Sequence, residues 1–138
     1  MGGRGQLRLL LDSHIILWST ADPDRLPQRI VDELVSPRAE LWFSPISVWE
    51  ILVLAEKKRI VVKGDRIKAV RHMFRQVPFK EAPLNREVAI QSRQADLLPH
   101  QDPADRFLAA TALVYHLTLV TADKRIIEAE TVPVLSAL

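Results

Sequence analysis

Short apolar runs alternate along this chain with longer segments in which apolar residues recur every three or four positions. The apolar runs at 7–11, 41–44, 117–123 and 132–135 have the length and composition of buried strands. A weaker run at 77–84 contains two prolines, which is typical of an edge strand. Strands that alternate with helices predict an α/β fold, in which a parallel sheet is covered by helices on both faces.

The intervening segments have helical spacing, and several carry recognisable caps. The predicted helices span 13–20, 28–35, 44–59, 63–76, 85–98 and 102–116. The last is the best marked, because Asp102 stands at the cap, Pro103 in the first turn and Asp105 three residues after the cap. The glycine-rich residues 1–6 are expected to form a flexible N-terminus, and 7–138 a single domain.

The overall composition narrows the class of protein. The chain of 138 residues is 48% hydrophobic and 26% charged, which is ordinary for a globular domain. It contains no cysteine, which excludes disulfides, zinc–thiolate sites and a thiol nucleophile. No segment approaches the roughly 18 uninterrupted apolar residues of a membrane span, so we expect a cytoplasmic protein without a membrane partner. A glycine-rich phosphate loop is also absent, which argues against dinucleotide binding and NTP hydrolysis.

Carboxylates follow the predicted strands where those strands end. Asp12 ends the first strand, within "LLLDSHIILW", and Asp123 follows "LTLVT". Glu50 lies in the first two turns of the helix after "LWFS", and Asp102 and Asp105 begin the helix at 102–116. Because sites in parallel sheets form outside the carboxyl ends of the strands, we expect these acids to meet at one edge.

Each acid also has a purely structural explanation. Asp102 is a good helix cap, Asp105 suits a capping box, and Asp123 could belong to a surface turn with Lys124 and Arg125. Their joint occurrence at one edge favours a shared acidic site. Such a cluster repels itself, and Mg²⁺ or Mn²⁺, which prefer carboxylate oxygen, relieve the repulsion. An ion held there can activate a water and stabilise charge on a phosphate.

The segments that hold these acids resemble the motifs of PIN-domain ribonucleases, specifically the VapC-type toxins of VapBC toxin–antitoxin modules. The similar segments are "LLLDSHIILW" with Asp12, "SPISVWEI" with Glu50, "DPADRFLAATAL" with Asp105, and "LTLVTAD" with Asp123 and its hydroxyl neighbour Thr121. The similarity extends from about Leu7 to Leu135. Each motif alone does not identify the family, whereas the four motifs in this order are specific to it.

The resemblance implies a Mg²⁺- or Mn²⁺-dependent endoribonuclease toxin. It implies a three-layer α/β/α PIN-like domain around a central parallel sheet of about five strands. It also implies a homodimer and a small antitoxin that inserts a segment near the acidic groove.

The resemblance further suggests roles for the acids and their neighbours. Asp12 and Asp105 would hold the principal metal, while Glu50 and Asp123 would complete its shell or help a second ion to bind. Hydroxyls would support the carboxylates or the phosphate, namely those of Ser13 and Thr121. Asp102 is expected to be a cap first and an auxiliary site residue second.

Basic residues are concentrated in one part of the chain, although the net charge is only +2. Between residues 56 and 75 there are eight lysines and arginines against two acids. On the predicted helix at 63–76, Arg66, Lys68 and Arg71 could guide RNA phosphates towards the acids. A solvated helix face is the alternative interpretation.

Other functions remain open on the sequence alone. The same fold could carry another metal-dependent nuclease that acts on DNA or structured nucleic acid, or a non-catalytic binding module. A receiver-like signalling domain is disfavoured, because it needs adjacent acids after the first strand and here Ser13 follows Asp12. The particular RNA that would be cleaved is not encoded in any recognisable pattern.

Overall fold

A computed structural model describes residues 6–138, so the expectation of a flexible N-terminus falls almost entirely outside the described residues. The strands are β1 (Leu7–Leu11), β2 (Ala39–Phe43), β3 (Lys80–Glu81), β4 (Thr118–Thr121) and β5 (Val134–Ser136). The helices are α1 (Ser13–Ala21), α2 (Gln28–Leu34), α3 (Pro45–Glu56), α4 (Arg66–Arg75), α5 (Arg86–Ser92), α6 (Pro103–Tyr115) and α7 (Lys124–Ala129). A short 3₁₀ turn at Pro23–Arg25 joins α1 to α2.

The sheet is parallel throughout, with the strand order β3-β2-β1-β4-β5. The chain first moves from β1 outward to β2 and β3, and then returns to the other side of β1 with β4 and β5. The direction of winding therefore reverses between β1 and β4. Crossover helices diverge at such a switch point and leave a crevice at the carboxyl ends of the two strands.

Both faces of the sheet are buried, as the apolar runs predict. On β1, Leu9 and Leu11 face one core, which includes Ile15 of α1 and Ile51 of α3. Leu10 points the other way, into a second core built mainly from α5, α6 and α7. This alternation follows from the two-residue period of a strand. It confirms the predicted three-layer α/β/α arrangement around a parallel sheet.

The elements agree with the sequence prediction except for α7, which the sequence analysis did not predict, and several elements are shorter than predicted. The strand predicted at 77–84 is reduced to two paired residues, Lys80 and Glu81. Helix α3 ends at Glu56 instead of 59, because Lys58 adopts a left-handed conformation with φ of 58°. Helix α5 stops at Ser92 instead of 98, since the following segment is bound by a buried arginine described below. Within residues 6–138, no helix is long and apolar enough to cross a bilayer.

Candidate active site

A cleft of about 410 Å³ opens at the switch point, beside the carboxyl ends of β1 and β4. All of the predicted acids line it: Asp12, Glu50, Asp102, Asp105 and Asp123. Ser13 lines the cleft as well, and Thr121 contacts it through Asp12. The fold therefore brings together carboxylates that are far apart in the sequence.

Asp12 is held at the inner end of the cleft by both of its oxygens. It is the N-cap of α1, where Oδ1 accepts a hydrogen bond from the backbone N–H of Ile15 at 3.1 Å. The hydroxyl of Thr121 donates to Oδ2. Burial raises the pKa of Asp12, and the negative charge of Glu50 adds to this, despite the opposing effect of the hydrogen bonds. A buried carboxylate of this kind favours a cation beside it.

Glu50 reaches the cleft from α3 and is also held by a hydroxyl. The donor is Ser13, which is 2% exposed at the start of α1 and donates to Oε1 of Glu50. The two hydroxyls expected to support the site thus serve different carboxylates, Thr121 binding Asp12 and Ser13 binding Glu50.

Asp105 enters the cleft from the first turn of α6. Its backbone N–H donates to Oδ1 of Asp102 at 3.1 Å, so Asp102 is the N-cap of this helix, as predicted. Its own Oδ2 lies 2.9 Å from Nε2 of His100. Burial, together with the negative charges of Asp102 and Asp123, raises the pKa of Asp105 to about 6, against the opposing effect of His100.

Asp123 caps α7 and is paired with an arginine. Nη2 of Arg125 lies 3.1 Å from Oδ2 of Asp123 and 3.3 Å from Oδ2 of Asp105, so the guanidinium bridges two acids of the cleft. Partial burial raises the pKa of Asp123, but the hydrogen bonds and charge of Arg125 outweigh it and leave the pKa below its usual value.

Sequence reasoning missed two residues that contact the acids and one that positions the loop leading to them. Arg125 and His100 contact Asp105 directly. Arg106 is 2% exposed and binds the backbone carbonyls that precede α6. The sequence marks these two arginines only by their closeness to the acids. Arg106 is adjacent to Asp105, and Arg125 is two residues after Asp123.

The chemistry of this donor set fits a hard divalent cation. The donors are carboxylate oxygens, and burial leaves two of them, on Asp12 and Asp105, poorly stabilised as anions. In the positions that the side chains adopt within residues 6–138, however, no group of three or more acids or histidines is arranged to hold one ion. Arg125 engages two of the acids instead. An ion bound by these acids would therefore displace Arg125 from Asp105 and Asp123.

The basic residues singled out on the predicted helix at 63–76 lie elsewhere. Arg66, Lys68 and Arg71 are exposed on α4. Arg66 lines a separate hollow near Gly64, and Arg71 lines a groove beside Phe74. None of the three lines the acidic cleft.

The PIN domain family model matches residues 9–131 of this chain. A relative from Mycobacterium tuberculosis, Ribonuclease VapC22, is 30% identical over 118 residues, which cover 86% of this chain and 88% of that protein. The chain belongs to the PIN-domain family and, within it, to the VapC group, as the resemblance of its motifs predicts.

Solved structures share the fold. A DNA-bound VapBC from Salmonella typhimurium has a TM-score of 0.69 and 22% sequence identity, with 96% of this chain and 100% of that chain covered. A toxin–antitoxin complex from Klebsiella pneumoniae has a TM-score of 0.64 and 19% identity, over 94% of this chain and 98% of the other. At these identities the likeness shows the fold alone.

Proposed function

We propose that this protein is a Mg²⁺- or Mn²⁺-dependent endoribonuclease that acts as the toxin of a toxin–antitoxin module. The observation that carries the proposal is the convergence of Asp12, Glu50, Asp105 and Asp123 in one cleft at the switch point of the sheet. Membership of the VapC group supports it, since the relative from M. tuberculosis is named a ribonuclease.

In the proposed site, Asp12 and Asp105 hold the ion, and Glu50 and Asp123 complete its surroundings. When bound, the ion would activate a water molecule and stabilise the negative charge on the reacting phosphate. Thr121 and Ser13 fix the orientation of two carboxylates through hydroxyl hydrogen bonds.

Two further residues of the chain complete the proposed mechanism. His100 orients Asp105 through the contact between Nε2 and Oδ2. With the acids engaged by an ion, the guanidinium of Arg125 would be available to donate hydrogen bonds to a phosphate oxygen of the RNA.

The proposed partners are RNA, a second copy of this chain and a small antitoxin. Several proteins of the same fold were solved as toxin–antitoxin complexes, including those from S. typhimurium and K. pneumoniae. An antitoxin that places a segment against the acidic cleft would block access of RNA to the carboxylates.

The nuclease proposal is tested by digesting an RNA and a DNA of the same sequence with Mg²⁺ and with EDTA. We expect cleavage of RNA with Mg²⁺ only. Asp12→Asn and Asp105→Asn should each lower the cleavage rate at least about 100-fold, because each removes a charged ligand while keeping a similar shape. Asp96→Asn is the matched control, since Asp96 is exposed and does not line the cleft.

Full cleavage by both cleft variants would refute the assigned site. Preferential cleavage of the DNA strand would instead favour the alternative of a metal-dependent deoxyribonuclease on the same fold. If neither strand is cut and no Mn²⁺ binds, the non-catalytic binding module is the better description.

A further inference from the structure

A second hollow, of about 600 Å³, lies beside the acidic cleft and shares two walls with it, His14 and Trp18. Its remaining polar walls include two arginines, Arg25 and Arg59. We call it the arginine hollow. The acidic cleft and the arginine hollow therefore lie on two sides of Trp18. Acids line the cleft, whereas arginines line the hollow.

Trp18 is positioned to present an aromatic surface between the two hollows. It is part of α1, six residues after Asp12, and packs partly against the core on that face of the sheet. The ring of His14 lies 5.9 Å from the indole, and Cζ of Arg25 lies 5.4 Å from its centroid. An indole supported by a guanidinium is a stacking surface for any nucleobase, because every base has a π-face.

The two arginines are not neutralised by the protein. Within residues 6–138, neither Arg25 nor Arg59 has a carboxylate within ion-pair distance. The acid in the wall of the hollow is Asp22, which is the C-cap residue of α1. Unpaired guanidinium groups are well suited to phosphate, whose oxygens they bind in pairs.

The position of Arg59 depends on how α3 ends. The residue before it, Lys58, has φ of 58°, in the left-handed region that non-glycine residues seldom adopt. The backbone N–H of Arg59 then returns to the carbonyl of Leu54 at 2.9 Å. This turn ends the helix early and brings Arg59 to the wall of the hollow, instead of continuing along the exposed face of α3.

We infer that the arginine hollow binds one nucleotide of single-stranded RNA adjacent to the phosphate held in the acidic cleft. Its base stacks on Trp18, and its phosphate contacts Arg59 and Arg25. The acids repel an RNA backbone, whereas the unpaired arginines of the neighbouring hollow, which shares His14 and Trp18 with the cleft, attract it. This inference rests on the proposed function, since it assigns the substrate's path to the same site.

The test is equilibrium binding of a fluorescein-labelled, unstructured RNA hexamer in EDTA at low ionic strength, where no cleavage occurs. Trp18→Ala should weaken binding about tenfold, and Trp18→Phe should retain binding within about threefold, because Phe still offers a π-face. Arg59→Glu should weaken binding about tenfold and reduce the slope of log K against log salt by about 1.

Two controls separate this site from general surface effects. Trp49→Ala removes a tryptophan that is 56% exposed and lines neither hollow. Arg86→Glu reverses the same charge at an exposed position of α5 that lines neither hollow. Both controls should bind the hexamer as the unsubstituted protein does. Thermal melting of each variant shows whether its fold is retained, and Arg59→Glu tests the site even if Trp18→Ala does not fold.

The inference is overturned if Arg59→Glu and Trp18→Ala both bind the hexamer as tightly as the unsubstituted protein, or if Arg86→Glu loses as much affinity as Arg59→Glu. It is also overturned if the unsubstituted protein does not bind the hexamer, or if Trp18→Phe loses as much affinity as Trp18→Ala. Failure of the nuclease proposal is distinguishable, because loss of binding with Arg59→Glu supports the hollow whether or not RNA is cut. If the protein cleaves RNA with Mg²⁺ but Arg59→Glu and Trp18→Ala bind the hexamer unchanged, only the proposal for the arginine hollow fails.

Discussion

Arg125 places one guanidinium against two carboxylates of the cleft, Asp105 and Asp123. It occupies the oxygens that a divalent cation would need, so the protein's own cation and the ion compete for the same ligands. The side chain of Arg125 is 56% exposed, which means that solvent weakens both ion pairs. Release of Arg125 from the two carboxylates therefore requires little free energy, and Arg125 would compete only weakly with a divalent cation.

Replacing Arg125 with Gln should raise the affinity for Mn²⁺ about threefold in isothermal titration, since the ion pairs that compete with the ion are exposed and screened by solvent. The same substitution should slow RNA cleavage, because the donor proposed for the phosphate is lost. Lys124→Gln is the control, as it removes an adjacent exposed charge. Unchanged or weaker Mn²⁺ binding in Arg125→Gln would contradict the competition.

The raised pKa of Asp105 makes the metal-free protein sensitive to pH. Its pKa is about 6 in the fold, against 3.8 as the ordinary value, with burial as the main cause. Between these values the folded protein holds a proton that the unfolded chain has released. The stability from this group is thus complete below about pH 4 and is lost as the pH rises through 6. Asp12, whose pKa is also raised by burial, acts in the same direction.

In EDTA, the free energy of unfolding should therefore be higher at about pH 5 than at about pH 7. The measurement is urea denaturation at both values. Asp105→Asn should flatten the dependence and raise stability at the upper pH, because a neutral side chain replaces a buried anion. A variant that keeps the full pH dependence would show that other groups cause it. The lowered pKa values of Asp123 and Glu40 act only at more acidic pH.

Three acids that line the cleft are also helix caps. Asp12, Asp102 and Asp123 are the N-caps of α1, α6 and α7, and each accepts a backbone N–H from its helix. The structural and functional explanations of these acids are therefore compatible. Asn is as good a cap as Asp, so Asp→Asn separates the two roles by removing charge while keeping the cap.

The loop between α5 and α6 is built around Arg106. Its guanidinium donates to the carbonyls of Ser92, Gln94, Leu98 and His100, at distances from 2.6 Å to 3.1 Å. These bonds take the place of continued helix after Ser92 and hold His100 next to Asp105. Arg106 is a positioning residue for the cleft, acting through His100.

Arg106→Lys should lower the free energy of unfolding by about 3 kcal/mol, because an ammonium cannot reach all of these carbonyls and the rest stay buried without a donor. Urea unfolding measures the loss. Arg93→Lys, an exposed exchange in the same loop, should change little. Equal stability of the two variants would show that the buried guanidinium is not what holds the loop.

At the scale of the whole molecule, the strand order creates the cleft. The sheet winds in opposite directions from β1 and β4, so the ends of these strands are not covered by a crossover helix. Acids that follow β1 and β4 can then meet acids of α3 and α6 at this edge of the sheet. An ion that binds there joins both halves of the fold.

Because such an ion binds the folded chain only, Mg²⁺ should raise the melting temperature. At ten times the dissociation constant the expected shift is about 4 °C. The shift should vanish in Asp12→Asn and Asp105→Asn and persist in Asp96→Asn. A shift of the same size in all of these proteins would indicate binding outside the cleft.

Local patterns in the sequence identify every strand and every helix except α7, their order, and the acids that follow the strands. Periodicity and capping are local, so segments such as Asp102–Asp105 predict a helix start without knowledge of the fold. The predicted ends of α3 and α5 are less accurate. Helix α3 ends at the left-handed Lys58, and α5 ends where the distant Arg106 binds the carbonyl of Ser92.

The contacts between these residues are visible only in the three-dimensional structure. Thr121 binds Asp12 across 109 positions of the chain, and Ser13 binds Glu50 across 37. The bridge of Arg125 to Asp105, the burial of Arg106 and the tryptophan shared by the two hollows have no periodic signature either. Such contacts arise when strands pair in a particular order, and strand order depends on long-range packing that no local pattern encodes.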